Sequence, residues 1–117
     1  MDVLETLNSF DFSKKMVYVA GPISADIIHN TRNAIDVWKV LMYEGYIPIV
    51  PHLSILIELV YPIRDEWYKY DLHLLYRCDM MLRLPGASFG ADLEEAFAKE
   101  HGIPVYYTVE ELIENEK

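Results

Sequence analysis

The chain has 117 residues, 52% hydrophobic and 13% aromatic, enough to fold around one core of ordinary size and too apolar for disorder. Its net charge of −9 argues against non-specific binding to nucleic acid or an anionic membrane, yet allows a small anionic ligand held at a helix N-terminus. The single cysteine, Cys78, cannot form an internal disulfide; no basic leader precedes an apolar stretch, and no apolar run reaches about 18 residues.

These features predict a soluble cytoplasmic protein. Residues 1–117 are expected to form a single domain, with 1–15 as an N-terminal extension. In that extension Val3, Leu4 and Leu7 recur at helical spacing before Phe10 and Phe12, predicting a short helix that packs on the domain or on a second copy. Met16-Val17-Tyr18-Val19-Ala20 is β-rich and apolar on both faces apart from Tyr18, as a central strand requires. Gly21-Pro22-Ile23-Ser24 forms the loop at its C-terminal end.

A helix capped at Asn30 or Thr31 then carries Ala34, Val37, Trp38, Leu41 and Met42 as its core stripe and stops at Gly45. Tyr46 to Val50 reads as a second strand, which Pro48 confines to an edge. Pro51-His52 ends it, and His52 can line a crevice there. Residues 53–61, with Leu53, Ile55, Leu56, Leu59 and Val60, read as a buried or lid-like helix. The next helix runs from about Asp65 to Arg77 with Trp67, Leu72, Leu75 and Tyr76 as its apolar set.

Cys78-Asp79 leads into a third strand, Met80 to Leu84, with Asp79 holding the turn at its entry. The strand stops at Pro85-Gly86, and Ser88 stands where a helix N-cap belongs. The following helix is predicted to bury Leu93, Ala96 and Phe97 and to end at Gly102. Ile103 to Tyr107 is a fourth strand, and Thr108 caps a last helix from Val109 to about Asn115.

This alternation predicts an α/β fold: a three-layer, Rossmann-like or flavodoxin-like parallel sheet of four to five strands with helices on both faces. Ligands of such sheets bind where the strand order reverses, here between the loops 21–24 and 85–90. Tyr18, Gly21, Ser88 and Glu94 are thereby expected around one crevice. Asp71 shares a helix face with Trp67, Tyr68 and Leu75, a setting that raises a carboxyl pKa unless the group is a surface acid paired with Lys69 or Arg77.

No metal site is expected, since His29, His73 and His101 lack a spacing that groups them with Cys78. Neither a Gly-x-Gly-x-x-Gly nor a Gly-Lys-Ser/Thr motif occurs, and no cofactor is expected.

Three motifs in order carry a resemblance: Tyr18-Val19-Ala20-Gly21-Pro22-Ile23-Ser24; Tyr68-x-x-Asp71-Leu72 with Cys78-Asp79; and Leu84-Pro85-Gly86 with Ser88-x-Gly90-x-x-x-Glu94. Over residues 16–107 the chain resembles the nucleoside 2-deoxyribosyltransferase-like superfamily. Within it, the likeness is to a branch of short bacterial and phage proteins opening with Ala-Gly-Pro-Ile-Ser, related to the 2′-deoxynucleoside 5′-monophosphate N-glycosidases.

The resemblance implies cleavage of the N-glycosidic bond of a nucleoside or its 5′-monophosphate. It makes Glu94, and not Glu95, the nucleophile, with Tyr18 beside it. Asp71 assists proton transfer to the base or orients the sugar, and Ser88 holds a 5′-phosphate. The remaining residues of these motifs and loops, Gly21, Pro22, Ile23, Ser24, His52, Tyr68, Pro85, Gly86 and Gly90, are expected to line the substrate site. Two departures stand against a phosphorylated substrate: Ser24-Ala25-Asp26 where relatives often carry an Arg, and Asp92 where they often carry a small residue.

The alternative of a different class is a non-catalytic module binding a nucleotide-derived ligand in the same crevice. Ile35, Val40 and residues 53–61 lie off the predicted core, an apolar surface of the kind that marks a partner. The related enzymes are oligomers that complete the site with a neighbouring subunit. A homodimer or dimer of dimers is therefore expected, unless residues 1–12 fold back over these positions.

Overall fold

The computed structural model describes residues 2–62 and 64–117, the side chains of 55, 64 and 65 excepted. Strand β1 (Met16–Ala20) lies inside a four-stranded parallel sheet of order β2-β1-β3-β4, with β2 (Ile47–Ile49), β3 (Met80–Arg83) and β4 (Val105–Tyr106). Its four residues from Val17 to Ala20 are buried, as expected of a strand with no polar face apart from Tyr18. Pro48 lacks an N–H for a ladder, and β2 is accordingly an edge.

The two-residue period of the strands sorts the core into two layers. Val17, Val19, Met80 and Leu82 pack against Ala34 and Leu41 of α2 (Ile27–Tyr43) and Leu112 of α6 (Val109–Glu116). Tyr18, Ala20 and Met81 pack on the opposite side against Leu75 of α4 (Arg64–Tyr76) and Ala91 and Ala98 of α5 (Phe89–Glu100). The result is the three-layer α/β architecture expected from the alternation of elements.

The connection from β1 through α2 runs to β2, and that from β3 through α5 runs the other way to β4. Right-handed crossovers in opposite directions put the two helices on opposite faces. The loops leaving β1 and β3 therefore meet at the switch point, at the C-terminal ends of their strands, where ligands of such sheets bind.

Several boundaries differ from the sequence reading. Helix α2 starts at Ile27 because the Asp26 carboxylate, and not Asn30 or Thr31, accepts the His29 N–H at 3.1 Å. Ala25 turns the chain into that cap from the left-handed region at φ 77°, a conformation rare outside glycine. The core stripe of α2 is narrower than predicted: Trp38 and Met42 sit at its margin, with more than a third of their surface exposed. Residues 53–61 are not one buried helix: they begin in a 3-10 turn, Pro51–Ser54, and continue as a short α3, Ile55–Val60, which is exposed at Leu56, Leu59 and Val60. The side chain of Ile55 lies outside the described residues.

On α5 the buried face is Ala91, Glu94 and Ala98; Leu93 and Phe97 are half-buried and Ala96 is exposed. Small residues at that face let the helix approach the sheet closely enough to bury a carboxylate. Tyr76, expected in the apolar set of α4, is exposed. Ser88 and Thr108 cap α5 and α6 through their hydroxyls, and Asp79 accepts the Met16 N–H at 2.7 Å, joining the entries of β1 and β3. Helix α1 (Val3–Asn8) buries none of its residues, and Ile35 and Val40 remain exposed, so the N-terminal segment does not fold back over them.

Candidate active site

The two loops beyond β1 and β3 are pressed together at two glycines. A Cβ on Gly21 would lie 2.8 Å from Leu84 Cβ, and one on Gly86, whose φ is +118°, would lie 2.7 Å from Pro22 Cγ. Both positions thus need glycine for close approach, and Gly86 also for its backbone. Beside this seam opens a cavity of about 380 Å³.

One wall is the loop Gly21 to Ser24. The second is the start of α5, from Ala87 through Ala91 to Glu94. The third combines Pro51, Ser54 and Glu58 with Trp67, Tyr68 and Asp71 of α4. Tyr68 stands edge-on to Phe89 at 6.1 Å, and its ring would be 3.3 Å from a Cβ on Gly90. Glycine there leaves room for the ring.

Glu94 is 8% exposed, and the Tyr18 hydroxyl, reaching up from the sheet beneath, donates a hydrogen bond to its Oε2. Burial pushes the Glu94 carboxyl up to about 7; the Tyr18 hydrogen bond opposes this, the Asp71 charge adds to it, and Arg83 opposes it. Burial, with the Glu94 and Asp71 charges, pushes the Tyr18 phenol far above its ordinary range, which keeps it a hydrogen-bond donor. Asp71 is raised to about 6 by burial, and its Oδ1 is buried with no hydrogen-bond partner among the described residues. The reading of Asp71 as a surface acid paired with Lys69 or Arg77 does not hold: Lys69 pairs with Glu66, and Arg77 donates to the His73 carbonyl.

Of the residues singled out in the sequence, the structure gathers Gly21, Pro22, Ile23, Ser24, Tyr68, Asp71, Ser88, Gly90 and Glu94 on one cavity, with Tyr18 directly beneath. His52, Pro85 and Gly86 stand outside it. His52 is buried behind the first wall; its Nε2 donates to the Pro22 carbonyl at 2.9 Å, and burial lowers its pKa. Pro85 faces a separate groove with Asn30 and Asn33, and the Gly86 carbonyl accepts from Arg83.

Sequence reasoning did not single out Glu58, nor did it place Trp67 at the cavity; the Trp67 indole Nε1 donates to the Glu58 carboxylate there. Their meeting depends on how α3 turns into α4, which no local pattern encodes. Cys78 stays off the cavity, its thiol pushed up to about 11 by burial and then by Asp79. Among the described residues no three His, Cys, Asp or Glu side chains are grouped to hold a metal ion.

A four-stranded parallel sheet with helices on both faces defines the class of fold, and its crevice holds the buried Glu94 and the half-buried Asp71. The chain belongs to the family described as "Domain of unknown function (DUF7768)", whose model matches residues 15–108. Among solved structures it is similar to a 2-deoxyribosyltransferase from the psychrotolerant bacterium Bacillus psychrosaccharolyticus, with a TM-score of 0.64 and 21% identity over 77% of this chain and 69% of that one. That likeness is one of fold. No curated protein matches the sequence.

Proposed function

We propose that the protein cleaves the N-glycosidic bond of a nucleoside or its 5′-monophosphate, with Glu94 as nucleophile and Asp71 as acid and base. The observation that carries this reading is the Tyr18–Glu94 hydrogen bond on the floor of a cavity that Asp71 also lines. Two carboxyl groups raised into the neutral range, in one crevice, suit a reaction that needs one of them charged and one protonated.

Their surroundings divide these roles. Glu94 receives the Tyr18 hydrogen bond and feels Arg83, both favouring its anion. In the free protein the single proton favours Glu94, raised to about 7, over Asp71, raised to about 6. The reactive form, with Glu94 charged and Asp71 protonated, is therefore the minor arrangement, and the Tyr18 hydrogen bond and Arg83 favour it.

In the first step an oxygen of the Glu94 carboxylate bonds to C1′ as the C1′–N bond breaks. The base leaves with the electron pair of that bond and takes the Asp71 proton. In the second step water, or another base, attacks C1′ and gives its proton to Asp71, and the Glu94–C1′ bond breaks to restore the carboxylate. Water yields free sugar and makes the enzyme a hydrolase; a base yields a new nucleoside and makes it a transferase. Tyr18 holds Glu94 Oε2 throughout, directing the other oxygen toward the anomeric carbon.

The 5′ end of the substrate would lie at the start of α5, where the Ser88 hydroxyl can donate while its oxygen caps Ala91 N at 3.1 Å. Incubation with ribo- and deoxyribonucleosides and their monophosphates, followed by chromatography for free base, tests the proposal. Base release by the wild-type chain and not by E94Q supports it. Saturable binding with no release from any substrate favours the non-catalytic module.

A further inference from the structure

Arg83, the last residue of β3, takes no part in the cavity, yet its guanidinium is tied to three parts of the wall behind Glu94. Its Nε donates to the Leu84 carbonyl at 3.2 Å and its Nη2 to the Gly86 carbonyl at 2.9 Å, both in the loop after β3. Its Nη1 donates to Asp92 Oδ1 at 2.8 Å, with Glu95 Oε1 at 3.8 Å, both on α5. The Arg83 side chain is 10% exposed although its partner Asp92 is 70% exposed, so the fork runs from the interior outward.

Asp92 and Glu95 stand three apart on the side of α5 that meets Arg83, while Glu94 turns to the cavity and Tyr18. One planar group thus fixes the loop that seals against Pro22 and the rotation of the helix that carries Glu94. Asp92, an unwanted charge when read against the family pattern, is here the outer anchor of that fork.

We propose that Arg83, anchored by Asp92, is the positioning residue that locks the β3 loop to the first turn of α5 and so holds Glu94 against Tyr18. The proposal rests on Glu94 being the reacting carboxylate. A lysine cannot reproduce it, because a single ammonium does not span two carbonyls and a carboxylate in fixed directions. The charged and titratable groups facing Glu94 are Tyr18 from β1, Asp71 from α4 and Arg83 from β3, with Asp92 and Glu95 on its own helix.

The test is a carbon-13 carboxyl NMR titration of Glu94 in the wild type, R83Q and R83K, alongside melting curves and kcat and KM on whichever substrate releases base. R83Q is expected to raise the Glu94 midpoint, since a nearby opposite charge is lost, and to shift the Glu94 carboxyl resonance as the side chain moves off Tyr18. R83K is expected to keep the midpoint nearer the wild-type value while kcat falls about tenfold or more and KM changes little, because only the geometry has slipped.

A folded R83Q whose Glu94 titrates as in the wild type would overturn the proposal. If R83Q does not fold, an R83K with wild-type Glu94 chemical shifts would do the same. The titration reads Arg83 even in a protein that releases no base, so a failure of the proposed reaction is told apart from a failure of the clamp.

Discussion

Tyr18 and Glu94, 76 positions apart in the chain, meet under the crevice floor, the phenol donating to the carboxylate. The pairing follows from two periodicities. Tyr18 faces the α5 side of β1, and Glu94 lies on the same α5 face as Ala91 and Ala98, the small residues that draw that helix onto the sheet.

Replacing Tyr18 by phenylalanine removes that donor and little volume. A hydrogen bond to a charged group contributes roughly 1.5–3 kcal/mol, so Y18F is expected to lose about ten- to a hundredfold in kcat. The Glu94 midpoint should move up. Unchanged kinetics in Y18F would show that the phenol does not serve the carboxylate.

Glu94 also imposes a stability cost with a definite sign. Its carboxyl is raised from 4.5 to about 7 by burial, so the folded state binds its proton more tightly than the unfolded chain. The stability this gives is present below about pH 4.5 and is lost as pH rises through 7. E94Q carries no such charge and should gain on the wild type across that window, by on the order of 3 kcal/mol at pH 8. Thermal melts of both proteins at pH 5 and pH 8 read the gap. A gap that shrinks toward pH 8 would contradict the burial of a charged Glu94.

Asp71 and Glu94 titrate near 6 and 7 and face the same cavity, so the form with one proton between them is most populated in that interval. The rate on a poor leaving group is expected to follow a bell with its top between pH 6 and 7. D71N should abolish the basic limb and slow substrates with poor leaving groups most. An equal loss for every base would instead assign Asp71 to holding the sugar.

Leu56, Leu59, Val60 and Tyr61 are each at least two-thirds exposed, beside the cavity wall that contains Glu58. We propose that a second copy covers this surface, as a homodimer or dimer of dimers. Light scattering at micromolar concentration should give at least twice 13.7 kDa, and L59E with V60E should reduce the mass to that of one chain. A wild-type mass of 13.7 kDa would rule out the assembly.

The sheet was legible because its strands are short apolar runs bounded by strong signals, such as Lys14-Lys15 before β1 and Gly21-Pro22 after it. The edge position of β2 was equally plain from Pro48. The start of α2 was not, because Ala25 takes a left-handed φ of 77° without the glycine that would have announced it.

Within the site, the spacing from Gly90 to Glu94 places the acid one turn into α5 on the face toward the sheet. His52 looked like a crevice residue from its place after Pro51, but its ring turns inward to hold the Pro22 carbonyl. Arg83 and Asp92 could be read only as separate charges until the loop between them was folded.

The proposed reaction passes through a covalent bond between Glu94 and the sugar. A 2-deoxy-2-fluoro arabinonucleoside destabilises the oxocarbenium-like transition states and lets such an adduct accumulate. Incubation, acid quench, trypsin digestion and mass spectrometry should reveal the fluorosugar on peptide 84–99, with fragmentation assigning it to Glu94 and with none on E94Q. A wild-type protein that releases base while its adduct lies on Asp92, Glu95 or another peptide, or an E94Q that releases base at the wild-type rate, would contradict Glu94 as the nucleophile.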